Sequence, residues 1–97
     1  MLTGKQKRFL RALGSKLDPI LQVGKFGVTA PVIAQAEEAL EARELFKGRA
    51  LETAPADAET SAEQLAAATG AEMVQVIGRN FLLYRRKKDK PIIDLPI

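Results

Sequence analysis

Alternation of its hydrophobic period restricts this chain most: segments with apolar residues three or four apart give way to short runs of β-formers, with turn residues between. Thr3-Gly4-Lys5-Gln6 has capping-box spacing, and Phe9, Leu10, Leu13 and Leu17 continue at roughly helical intervals, with Gly14 able to close the helix. Pro19 to Val23 then predicts a strand stopped by Gly24. Thr29 is placed to cap a second helix, Pro31 falls in its first turn, and Val28 and Ile33 have the spacing of a hydrophobic staple. That helix runs to about Glu44, with Ile33, Ala36 and Leu40 inward. Leu45 to Leu51 predicts a second strand that points Lys47 and Arg49 to one side and is weakened by Gly48. After a Glu52 to Asp57 loop, a third helix begins between Asp57 and Ser61, turns Leu65 inward and ends at Thr69-Gly70. Two final strands, Glu72 to Ile77 and Phe81 to Arg85, flank the hairpin signal Gly78-Arg79-Asn80. Residues 86–97 form an irregular, basic, proline-containing tail.

The order α-β-α-β-α-β-β defines an α/β (α+β) chain. Strands joined through helices run parallel and the last pair antiparallel, which makes a two-layer domain with a four-stranded mixed sheet. Its 97 residues, 46% apolar and 28% charged, fit a single domain over 1–97. The last two strands are apolar on both faces, so the first helix or the tail must cover part of the second face.

No Cys and no His are present. This removes thiolate and imidazole nucleophiles, their catalytic dyads and triads, and the common zinc ligands. No metal site, cofactor or small-molecule substrate is expected. The four carboxylates Glu37, Glu38, Glu41 and Glu44 could in principle serve an acid–base pair or a divalent ion, but such a stripe on a helix reads first as a solvated face. The longest apolar runs, Leu65 to Ala68 and Phe81 to Tyr84, are far too short for a bilayer, and no signal-peptide pattern opens the chain, so a cytoplasmic protein without membrane contact is expected.

The net charge of +3 is unevenly spread: residues 1–25 sum to +5, 26–78 to −6 and 79–97 to +4. Two basic ends and an acidic middle suit a polyanion bound in one orientation. Gly24-Lys25-Phe26-Gly27 lies between a strand and a helix start, where free N–H groups and the helix dipole favour a phosphate. The loop lacks the Gly-Lys-Ser/Thr ending of a nucleotide P-loop, and its glycine spacing matches the loop of KH domains. Lys25 offers a cation, while Phe26 either stacks on a base or folds into the core of a tight turn. Lys5, Arg8, Arg79, Arg85, Arg86 and Lys88 complete the candidate contacts, and Tyr84 continues the apolar run before it and reads as core.

Taken in order, Leu2-Thr3-Gly4-Lys5-Gln6-Lys7-Arg8, Val23-Gly24-Lys25-Phe26-Gly27-Val28-Thr29 and Glu44-Leu45-Phe46-Lys47 resemble the YhbY-type CRM domain, named for chloroplast RNA splicing and ribosome maturation. Thr69 to Arg79, Leu83-Tyr84-Arg85 and Ile93-Asp94-Leu95-Pro96 extend that resemblance over nearly the whole chain. The resemblance implies a fold like the C-terminal domain of translation initiation factor three and a role for Gly24, Lys25, Phe26 and Gly27 in contacting RNA. It further implies a bacterial protein that binds rRNA in precursors of the large ribosomal subunit during ribosome biogenesis, and a non-enzymatic monomer is expected. The rival expectation is a protein-interaction module docking its acidic middle on ribosomal or other basic proteins. A carboxylate-based RNA nuclease would have only the glutamate stripe behind it.

Overall fold

Each element of the computed structural model, which describes residues 1–97, starts or stops where a local signal places it. Helix α1 (Gly4–Gly14) opens on the predicted capping box: the Gln6 N–H donates to the Thr3 hydroxyl at 3.1 Å, and the Thr3 N–H to Gln6 Oε1 at 3.0 Å. Strand β1 (Pro19–Val23), helix α2 (Ala30–Arg43) and strand β2 (Leu45–Ala50) follow. Helix α3 (Ala58–Thr69) is capped by Asp57 and closed by Gly70 in the left-handed region. Strands β3 (Glu72–Ile77) and β4 (Asn80–Tyr84) form the hairpin.

The sheet order is β1-β2-β4-β3. β1 runs parallel to β2, while β4 lies between β2 and β3 and is antiparallel to both. A crossover through a helix returns the chain in parallel, and the tight Gly78-Arg79 turn then folds β4 back into the vacant central place. The mixed sheet expected from the element order is therefore present.

Alternation along the strands sends Leu21, Val23, Phe46, Phe81 and Leu83 to one face, where Ala36 and Leu40 of α2 and Ala62 and Leu65 of α3 cover them. The opposite face carries Leu45, Val74, Leu82 and Tyr84. Both candidates cover it: α1 brings Leu10 with Leu2 and Leu17 at its flanks, and the tail brings Ile93 and Leu95. Tyr84 is core, as its place in the apolar run suggests. Gly48 has a reason to be glycine that propensity does not reveal. The Phe81 ring lies against it from the neighbouring strand, so any side chain at 48 would displace a fully buried aromatic.

Candidate nucleic-acid interface

Three connections meet at one end of the sheet: the β1–α2 loop, the β2–α3 loop and the β3–β4 turn. The Leu51 N–H donates to the Val23 carbonyl at 2.9 Å, and the Ala50 N–H to the Arg79 carbonyl at 2.8 Å. Between the last two connections lies a groove of about 340 Å³, bordered by Leu51, Pro55, Asp57, Gly78 and Arg79.

The Gly24–Gly27 loop is a turn closed by the Gly27 N–H donating to the Gly24 carbonyl at 2.9 Å. Gly27 has φ +73°, a conformation that side chains resist, and a Cβ there would stand 3.1 Å from Pro55 Cγ. Gly24 meets neither demand, because a Cβ on it would find only Leu51 Cδ1 at 4.0 Å. At 79% exposed, Phe26 is not folded into the core, which overturns that alternative. The turn directs residue 26 outward, and the Lys25 ammonium sits 5.0 Å from the centre of its ring. Loop and cation thus project together into solvent.

Helix α2 begins three residues beyond the loop. Thr29 has the extended backbone of an N-cap, but its side chain accepts no capping bond, contrary to expectation, and Pro31 has no N–H. Side chains close one N–H each at the starts of α1 and α3, whereas α2 has no such cap and keeps the N–H groups of Ala30 and Val32 open three residues after the loop. The Arg79 guanidinium, at the border of the groove, pairs only with Glu52, at 3.7 Å between two exposed groups. Such a contact exchanges readily for a phosphate.

The predicted contacts divide into separate sets. Gly24, Lys25, Phe26, Gly27 and Arg79 share the loop end. Lys5 and Arg8 lie on α1, and Arg86 and Lys88 on the tail, with Lys5 Nζ donating to the Ile97 carbonyl at 3.3 Å. The Leu2 N–H bonds to the Glu72 carboxylate at the start of β3, so this second basic group sits a strand length from the loop, about 17–20 Å. Arg85 belongs with neither set. Its Nη1 donates to Glu37 Oε2 at 2.8 Å and to the Thr69 carbonyl at 2.7 Å, and its Nη2 to Glu41 Oε1 at 3.2 Å. Reading Arg85 as a phosphate contact is corrected accordingly: its donors tie β4 to α2 and to the end of α3.

Glu44, expected on a solvated carboxylate face of α2, is corrected as well. Its side chain is buried, its φ of 65° is left-handed for a non-glycine residue, and its carboxylate accepts the N–H groups of Lys87 (2.7 Å), Ile92 (2.8 Å) and Ile93 (2.6 Å). Burial pushes its carboxyl up, but the three N–H donors and the Arg86 charge outweigh it and hold the group below the usual carboxylate range. The same carboxylate, after burial itself, raises the Tyr84 hydroxyl. A direct step from Arg43 into β2 without glycine was the one local sign of this strained corner.

A helix-backed mixed sheet with a glycine-bracketed, cation-bearing loop at one end defines a small α/β binding domain. The sequence profile of the CRS1/YhbY (CRM) domain matches residues 2–85, and the chain belongs to that family. It is 48% identical over 96 residues to the Bacillus subtilis protein named "Probable RNA-binding protein YqeI", covering 99% of this chain and 100% of that one. It is 37% identical to a Haemophilus influenzae protein named "RNA-binding protein", over 94% of this chain and 92% of that one. The solution structure of the hypothetical protein SAV1595 from Staphylococcus aureus superposes with a TM-score of 0.82 at 47% identity, covering 99% of this chain and all of the other.

Proposed function

We propose that this chain is an RNA-binding domain without catalytic activity, and that its ligand is rRNA in precursors of the large ribosomal subunit. The observation that carries the RNA reading is the Gly24–Gly27 turn, which presents an exposed Phe26 and Lys25 beside the open start of α2. Open N–H groups and a cation bind phosphate, and an exposed aromatic stacks on a base, so the loop is suited to a splayed single strand. The names borne by the relatives support the same reading. The narrower assignment, to ribosome assembly, rests on the resemblance to stand-alone bacterial members of the family, and a cytoplasmic monomer is proposed with it.

The acidic middle is a poor docking surface for a basic protein. Glu37 and Glu41 hold Arg85, Glu44 holds the tail, Glu52 meets Arg79, Asp57 caps α3 and Glu72 accepts the Leu2 N–H. Among the central acids only Glu38, Glu59 and Glu63 make no such bond.

The test uses Gly27→Asp, since aspartate tolerates the left-handed backbone at moderate cost while placing a carboxylate where the phosphate would lie. Fluorescence anisotropy with single-stranded RNA should read at least about tenfold weaker binding, with the circular dichroism spectrum unchanged. Equal binding by the folded variant would remove the loop from the interface. Fractionating a gently prepared lysate by particle size tests the narrower claim, which fails if the protein runs wholly apart from large-subunit precursors.

A further inference from the structure

Helix α1 and the tail leave the loop end of their face of the sheet uncovered. The register places Leu45, Tyr84 and Glu72 in one row across β2, β4 and β3, and α1 and the tail lie over this end. In the next row, Lys47, Leu82 and Gln75, α1 still covers Leu82, which is buried with Leu10 and packed against Gly14, while Lys47 and Gln75 stay partly exposed; Gln22, Arg49, Asn80 and Ile77 form the outer row. Strand alternation confirms the side on which these residues stand, because their neighbours Phe46, Ala50, Phe81 and Leu83 all face the other core.

The chemistry of these rows is selective. They hold two cations, three carboxamides and no acid, and neither Lys47 nor Arg49 has an ion-pair partner. Ile77 is 64% exposed although it sits in a strand. A recess of about 120 Å³ opens among Lys47, Gln75, Ile77, Asn80 and Leu82, well below the size of a cofactor pocket but suited to one flat ring. Asn80 lines it and carries an Oδ1 that is shut from solvent without any partner. Rotation about the soft terminal torsion of that carboxamide would bring the unused acceptor to a ligand in the recess.

The outer row also continues into the loop end. Gln22 is two residues from Gly24, about 7 Å along the strand, and Ile77 and Asn80 are the two residues flanking the Gly78-Arg79 turn. A strand held at the loop therefore reaches these rows within a nucleotide or two.

We propose that the uncovered loop end of this sheet face receives an unstacked nucleobase of the RNA strand held at the glycine loop. Gln75, Asn80 and Lys47 supply hydrogen bonds to its edge, and Arg49 and Ile77 supply the surface on which the ring lies. Carboxamides and cations discriminate base edges, and a guanidinium plane stacks on any base. The site rests on the RNA reading above and adds base preference to what would otherwise be a grip on phosphates alone.

Labelled U, A and C homopolymers of about twelve nucleotides, titrated at one salt concentration, test this. The expected result is a spread of at least about fivefold in Kd between the best and the worst homopolymer for the unaltered protein. Gln75→Ala with Asn80→Ala should compress that spread to within about twofold. Ile77→Glu, at a position exposed enough to leave the core intact, should weaken all three by about tenfold, and it decides the question if the double variant unfolds. Gly27→Asp should weaken all three while keeping their ranking. Equal affinity of the unaltered protein for all three, or the folded sheet variants behaving like it while Gly27→Asp binds weakly, overturns the sheet site alone. If the unaltered protein binds none of the oligomers, the RNA reading falls and the base site with it.

Discussion

Gly24 and Gly27 bracket the same turn, yet only one of them is required by the backbone. Gly27→Ala places a Cβ in the left-handed region and 3.1 Å from Pro55, so a loss of about 1–2 kcal/mol is expected, read as a lower midpoint in urea. Gly24→Ala has room and no positive φ, so stability should be unchanged within about 0.5 kcal/mol, and any effect on RNA affinity would report a close approach by the ligand. Phe26→Ala separates the two readings the sequence left open. With the side chain 79% exposed, the thermal midpoint should hardly move while RNA binding weakens by about 1–3 kcal/mol. A large fall in the midpoint with binding intact would return Phe26 to a structural role.

At the level of elements, the local signals were legible. The capping box at Thr3, the Pro19–Val23 strand and the hairpin about Gly78-Arg79 depend on neighbours a few residues apart, and each stands within a residue or two of its expected place. Glu44 and Arg85 were not legible, because their partners lie dozens of positions away and only the finished sheet brings them together. Thr29 had the right residue type for a cap, but its hydroxyl makes no capping bond. The Glu44 clamp carries a pH dependence of definite sign. Its folded carboxyl titrates below its ordinary value of 4.5, so its contribution is present above that pH and is lost as pH falls through the lower folded value. Glu44→Gln should lower stability by about 1–3 kcal/mol at neutral pH, and the gap to the unaltered protein should narrow as both are acidified. Urea unfolding followed by circular dichroism between neutral and strongly acid pH checks this, and a gap constant over that range would show that the carboxylate charge is not what holds the tail.

For the molecule as a whole, the question is which cations a polyanion meets. With Arg85 engaged inside the fold and Lys47 and Arg49 given to the base, about two phosphate contacts by Lys25 and Arg79 would give a log–log salt slope near −1.4 on single strands. Binding would then weaken roughly sevenfold between about 50 and 200 mM salt. Arg85→Ala should leave that slope untouched and instead lower stability by about 1–3 kcal/mol, since Glu37, Glu41 and the Thr69 carbonyl lose a shared donor. A reduced slope in this variant would restore Arg85 to the interface. Finally, the Leu2 N–H donating to Glu72 and the Lys5 ammonium donating to the Ile97 carbonyl bring both ends of the chain to the first turn of α1, at the end of the sheet away from the glycine turn. The domain is therefore built like a bead threaded from behind. Neighbouring domains or further copies can be strung on either terminus without crossing the working end. A fluorescent protein joined after Ile97 should shift RNA affinity by less than about twofold, whereas a larger loss would mean that the strand also runs past Lys5, Arg8, Arg86 and Lys88.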